Sequence, residues 1–375
     1  MKRLWSIILV GIAASTGWAA QTAGLLLVDV SAATASGSGV GGKVTSWGNA
    51  GTLNGAFVPT GAGPEYQVLG GAPALYFDGT GETALAGPAT PVELTGGNSW
   101  TIEAWLHKTH FKGNEEIFLA WTLREVVSPP HDRMLEARYS INKDIAIEHY
   151  GGNNLPWGAQ LPALDEWHHV VVTRDAVSNV ETLFVDGRMV VTGVRSTVDI
   201  VPGGDITIGA TWNSNRSGFW GGFVGYIGQM RVHSGALPMG GVVQNYLDER
   251  ATYGRTSDPD SVWVGSSSST LPWETAAHWQ GGTKPALSGS AASILNGNVA
   301  GLTSDAGVLD QINFTHGGLE MSGGARLAIK PDQVVHVGRG AGNVFSLDVE
   351  QGYLNVPGIQ EGWLLLGTEG GRLAH

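Results

Sequence analysis

The sequence predicts an all-β chain, a two-sheet jelly-roll sandwich followed by a partial β-solenoid-like second domain. Three observations carry that expectation. There are 57 Gly in 375 residues and charged residues make up only 14%, a composition suited to short strands joined by tight turns. Between Trp100 and Asn245 the phrases TIEAWL, EWHHVVVTRD, TLFVDG, ITIGA and FVGYIGQMRVHSGAL follow one another, each a short strand pattern closed by a turn. From Gly318 onward a repeat of about 28 residues begins, the kind of period that stacked rungs require.

The elements follow in chain order. Lys2 and Arg3 precede the apolar stretch Leu4 to Ala14 and the small residues around Gly17, Ala19 and Ala20, so residues 1–20 are expected to be a secretory signal peptide. No segment reaches the roughly 20 apolar residues a membrane helix needs, so the mature chain is expected to carry no transmembrane span. The sequence has no Cys, which removes a disulfide framework and leaves stability to packing. Export from a bacterium, to the medium or the cell surface, fits that composition. The formal charge is -12 with no basic block, which excludes nucleic acid and anionic membrane as expected partners.

Residues 21–254 read as one unit. Leu25-Leu26-Leu27-Val28-Asp29, Val44-Thr45-Ser46-Trp47 and Leu75-Tyr76-Phe77-Asp78-Gly79 are its opening strands. In TIEAWL, alternation places Ile102, Ala104 and Leu106 on one face and Thr101, Glu103 and Trp105 on the other. EWHHVVVTRD divides likewise, and TLFVDG ends in Asp186-Gly187, a preferred hairpin signal. One helix is expected at 240–252, where Val242, Val243, Tyr246 and Leu247 fall at helical spacing. Residues 255–260, with Pro259 and three charged residues, read as a linker.

Beyond it, residues 261–375 open with Trp263, Trp273 and Trp279, expected to stabilise a first turn. Leu319-Glu320-Met321 with Gly324 and Leu327 returns as Leu347-Asp348-Val349 with Gly352 and Leu354, and Val337-Gly338 returns as Leu366-Gly367. The chain stops in what looks like mid-rung, so the native polypeptide is expected to continue past His375.

The phrases between Trp100 and Asn245, taken in order, resemble the laminin-G-like, concanavalin-A-like family of two-sheet domains. The resemblance covers about residues 21–254, and the region after it looks like the start of an autotransporter-like solenoid. What the family resemblance implies is a lectin, an adhesion module, a pentraxin-like domain or a glycosidase, since fold alone does not decide. It also implies calcium, which takes carboxylate and carbonyl oxygens from loops at a sheet edge. Asp78 and Asp186, both before Gly at strand ends, are the candidate ligands.

Catalysis finds little support in the residues. A retaining glycosidase needs two carboxyls about 5 Å apart on one sugar bond. Glu103 stands alone in its strand, Glu115 and Glu116 are adjacent and so point apart, and Glu181 and Asp186 bracket an apolar run. Asp305, Asp310, Glu320 and Lys330 are scattered. His168 and His169 are strand neighbours and cannot share one ion. The pairs His131–Asp132 and Glu148–His149 lack zinc spacing.

Sugar recognition wants an indole platform beside amides and a guanidinium. Two loops offer one: residues 149–157, with Tyr150, Asn153 and Trp157, and residues 211–220, with Trp212, Asn213, Asn215, Arg216 and Trp220. Trp100, Trp105 and Trp167, inside strand phrases, are expected in the core. The leading expectation is a secreted recognition module binding an extracellular glycan without catalysis. Two alternatives are an accessory module of a polysaccharide-degrading enzyme whose catalytic part lies in or beyond the solenoid, and a structural adhesin that binds a surface protein.

Overall fold

The computed structural model describes residues 19–374 except 38, 114, 123–132, 143–144, 151–152, 159–160, 267–268, 283, 286–290, 295, 297, 310, 315–316, 322–324, 330–334, 338–344, 350–351 and 356–371. Most of the expected signal peptide, together with His131, Asp132, Gly324, Lys330, Gly338 and Leu366-Gly367, therefore lies outside the described residues.

Two eight-stranded antiparallel sheets form the first region. Trp100–Lys108 is central to the first sheet, with Trp167–Asp175 on one side and Val224–His233 on the other. Glu116–Trp121 is central to the second, between Leu135–Tyr139 and Asp205–Ile208. Alternation explains the packing. Ile102, Ala104, Leu106, Val170 and Val172 point between the sheets, where they meet Trp47, Phe57, Trp121 and Tyr139 in one core. A buried aromatic side chain removes on the order of 200 Å² from water, about 5 kcal/mol at ~25 cal/mol per Å².

The opposite face of the first sheet is covered as well. The helix Met239–Glu249 is the α-helix among the described residues, ending earlier than the expected residue 252. It lays Val242 and Val243 over Val171 and Phe184, and Tyr246 over Trp105 and Trp167. Trp105 and Trp167 are accordingly buried, while Trp100 is buried between the sheets against Trp121. Under that helix Glu103 Oε1 lies 2.8 Å from His169 Nε2 and 3.2 Å from Arg231 Nη1, and its Oε2 accepts from Asn245 at 3.1 Å. Burial pushes the Glu103 carboxyl up, but Arg231 with His169 and His233 outweighs it and holds the group well below the usual carboxylate range.

Residues 255–260 are docked along the sandwich. Arg255 Nη2 donates to Asp186 at 2.9 Å, Arg188 Nε to Asp258 O at 2.9 Å, and Met189 N to Asp260 Oδ2 at 3.0 Å. After them come three four-stranded sheets in which every pairing is parallel. Gly317–Met321 pairs with Phe345–Val349 so that Leu319 faces Leu347 and Met321 faces Val349. The sequence repeat is thus the pairing register. Trp263, Trp273 and Trp279 pack edge to face at 5.1 and 4.7 Å and head the apolar cluster of this region.

Candidate functional site

A two-stranded ribbon outside both large sheets, Thr211–Trp212 against Phe219–Trp220, forms one wall of the candidate site. Its loop closes on itself. Asn213 Oδ1 accepts from Ser217 N at 2.9 Å, Asn213 Nδ2 donates to Ser217 Oγ at 2.9 Å, and Asn215 Oδ1 accepts from Ser217 N at 3.0 Å. Asn213 helps to close the loop through one bond from each end of its amide. Arg216 takes a left-handed backbone, φ 55°, and its guanidinium lies 3.4 Å from Asp205 while remaining exposed.

Trp212 and Phe219 stack at 4.0 Å and 20°. Trp220 turns to solvent, 54% exposed, and its indole N–H donates to the Glu115 carboxylate. Glu115 in turn lies 3.1 Å from Arg138 Nη1, whose guanidinium also contacts Glu148 at 2.5 Å. The neighbouring acid points inward, where Glu116 pairs with Lys108 and accepts from Lys112 N at 2.6 Å and Val224 N at 3.2 Å. Glu116 thereby fixes the loop beside the site, and Glu115 fixes the platform.

Two cavities adjoin at Gly81 and Phe219. One, about 510 Å³, lies against Trp220, Glu115, Gly79 and Gly222; the other, about 450 Å³, lies against Trp212, Arg216, Glu82 and Gly61. The floor depends on missing side chains. A Cβ on Gly222 would stand 2.5 Å from Gly79 O, and Gly221, at φ 66°, would place one 2.5 Å from Ile117 Cδ1. Gly61, Gly79, Gly81, Glu82 and Glu115 are remote in sequence from the ribbon, so no local motif announces them. Gly218 before Phe219 and the pair Gly221-Gly222 after Trp220 were the available signal.

The other expected loop does not join this site. Leu155 bonds Ile147 in both directions, at 3.0 and 3.1 Å, which turns the chain inward. Trp157 is consequently fully buried, stacked on Tyr139 at 5.0 Å and donating to Arg138 O at 2.9 Å. This corrects its expected role as a sugar platform. Asn153 donates to Thr197 Oγ1, and Tyr150, half-buried at φ 60°, follows His149, whose Nδ1 is 3.0 Å from Met134 O. That end of Glu116–Trp121 pairs Trp121 with Leu135, while the end beside Trp220 pairs Glu116 with Tyr139. Five residues of strand, roughly 17 Å, separate them. The structure brings Trp212, Arg216 and Trp220 together and leaves Tyr150 and Asn153 at the far end.

The calcium donors fit poorly. Asp186 is buried, with His168 Nδ1 and Arg255 Nη2 each 2.9 Å from Oδ2 and His169 N donating to Oδ1 at 2.9 Å. A guanidinium on the oxygen that would bind the ion leaves no place for a second cation, which corrects the expectation for Asp186. Asp78 Oδ1 accepts from Thr80 N, Thr80 Oγ1 and Thr83 Oγ1 at 2.9, 2.6 and 3.0 Å, and the next carbonyl, Gly79 O, receives Lys112 Nζ at 3.1 Å. Burial raises its carboxyl, and the Thr80 and Thr83 bonds together with Lys43 outweigh this to lower it. Among the described residues, Glu103, His169 and Glu249 are the three ligating side chains close enough to share an ion. Arg231 already contacts both carboxylates.

Residues 78–242 match the family described as the Concanavalin A-like lectin/glucanases superfamily, a stretch that contains Glu82, Glu115 and the whole ribbon. No curated protein matches the chain. Among solved structures, the binding domain of Paraclostridial Mosquitocidal Protein 1 aligns at 11% identity over 64% of this chain and 56% of that one, with a TM-score of 0.42. The Botulinum Neurotoxin serotype G binding domain aligns at 10% identity over 63% and 55%, with a TM-score of 0.41. Domain 4 of an extracellular arabinanase from Geobacillus stearothermophilus, in complex with arabinotriose, aligns at 13% identity over 58% and 96%, with a TM-score of 0.39. This chain thus spans about half the length of the first two, and nothing about its own ligand follows from likenesses at these scores.

Proposed function

We propose that the first region is a non-catalytic module that binds a glycan in the groove formed by the 211–220 ribbon and the Gly79–Glu82 turn. One observation carries the reading: an indole more than half exposed, fixed through its N–H by a carboxylate, beside two adjoining cavities floored by glycine. Apolar ring faces of sugars suit such a plate, and hydroxyls suit the flanking carboxylates, guanidinium and backbone groups. The family match over the same residues supports it. Glu115 is engaged by Trp220 and Arg138 and Glu103 is buried under the helix, so neither is placed as a glycosidase acid. Calcium has no part in the reading.

The test is polysaccharide retardation in affinity gels with Trp220→Ala and Arg216→Ala. Loss of retardation with an unchanged melting temperature supports the groove. Retardation that survives both changes removes it.

The parallel sheets of residues 261–374 are read in the same proposal as rungs of a β-solenoid that displays the module from a secreted or surface-bound chain. Support comes from the in-register pairing of Leu319 with Leu347 and Leu327 with Leu354. Cell fractionation with antibody against the chain would check the location: an extracellular or surface-exposed pool is expected, and retention of all of it inside the cell would refute it.

A further inference from the structure

We infer that the groove takes an internal stretch of a polysaccharide without acidic sugars, and neither a single terminal sugar nor a polyuronate. The inference rests on the reading of the groove given above and narrows its ligand class.

Length comes from the cavities. Each, at about 510 and 450 Å³, falls in the ~300–1,000 Å³ range of a complete small-ligand site. They share Gly81 and Phe219 in their linings, so two stations lie side by side along the groove. The indole of Trp220 belongs to one station and the Trp212–Phe219 stack to the other. A monosaccharide engages one station; a chain engages both, and linked contacts multiply rather than add in affinity.

Charge comes from the lining. One station carries Glu82 and Arg216. The other carries Glu115, held 3.1 Å from Arg138, and Lys112 stands beside it with Nζ on Gly79 O. Arg216 is itself 3.4 Å from Asp205 and Arg138 also contacts Glu148, so Glu82 leaves the first station acidic and neither station presents a net positive charge for a uronate to complement. The chain as a whole, at -12, adds a field that opposes polyanions at long range.

Calorimetry on the full chain would use neutral series of cello-, xylo-, manno- and arabino-oligosaccharides from monosaccharide to hexasaccharide, with oligogalacturonate as the charged arm. The expected result is that one neutral series gains ~10-fold or more in affinity between disaccharide and tetrasaccharide. Trp220→Ala and Phe219→Leu should each cancel most of that gain, with little change between roughly 50 and 500 mM salt. Two results would overturn the inference while leaving the groove reading intact: Trp220-dependent binding of a monosaccharide as tight as that of the tetrasaccharide, or of oligogalacturonate. Absence of Trp220-dependent binding by every probe would sink the groove reading and the inference with it.

Discussion

Two loops of this chain read alike and end unlike. Residues 149–157 and 211–220 both combine Gly, Asn and Trp, yet one buries its indole completely and the other exposes more than half of Trp220. The difference lies in what the chain does just before the aromatic residue. Leu155 is bonded to Ile147 in both directions, which carries Trp157 under the sheet onto Tyr139. Thr211–Trp212 and Phe219–Trp220 pair with each other outside both large sheets and are anchored to the second sheet by Ile117 N on Gly221 O at 2.7 Å, so the aromatic residues of the ribbon line a groove. Composition proposes a loop platform; backbone pairing decides whether it faces sugar or core.

Replacing Trp157 with Ala should have the largest effect, a loss of about 3–5 kcal/mol of stability from a fully buried indole. Denaturant titration would read it, and the fraction that remains folded should bind as the parent does. If Trp157→Ala left stability intact and abolished binding, the contrast between the loops would be reversed. Trp220→Ala should do the converse, costing about 2 kcal/mol or more of binding free energy with a melting temperature close to the parent's.

Acid should strike both loops together, because they hang on sheets secured by the same buried carboxylates. Glu103 has a folded pKa well below its ordinary 4.5, and Asp186 is lowered from 3.8. For Asp186, burial raises the carboxyl and His168, the His169 N–H and Arg255 outweigh it. Lowered folded values mean that the unfolded chain takes up protons first. The stability these groups supply is therefore complete above about pH 4.5 and drains away as pH falls below it. Binding and near-ultraviolet dichroism should decay together in that window; binding lost at pH 6 with dichroism unchanged would contradict this. Asn153→Ala should have the smallest effect, within about 0.5 kcal/mol of the parent in stability and without change in binding, since its amide donates to Thr197 Oγ1 at the far end.

Much of the fold was legible in residues 21–254. Period-two alternation in TIEAWL grouped Ile102, Ala104 and Leu106 on one apolar face, which the structure places between the sheets; in EWHHVVVTRD it separated two faces without saying which is core. The same alternation could not say that Glu103 and Trp105 face a helix instead of water, because that helix starts some 130 residues later in the chain. The register of Leu319 with Leu347 was visible as a repeat, since parallel neighbours bury equivalent side chains at equivalent positions. The groove was half legible. Trp212, Arg216 and Trp220 are close in sequence and flanked by turn residues, whereas Gly79, Glu82 and Glu115 reach the site only through the sandwich. Trp157 and Asp186 misled for a shared reason. An aromatic residue in a loop and an Asp before Gly carry strong local signals, and the partners that redirect them, Tyr139 and Arg255, are distant.

The most direct measurement is a paired affinity-gel comparison of Trp220→Ala and Tyr150→Ala against one retarding polysaccharide. The account predicts that Trp220→Ala migrates as if no polysaccharide were present while Tyr150→Ala is retarded like the parent. Free migration of Tyr150→Ala together with full retardation of Trp220→Ala would place recognition at the opposite end of the sandwich and contradict it.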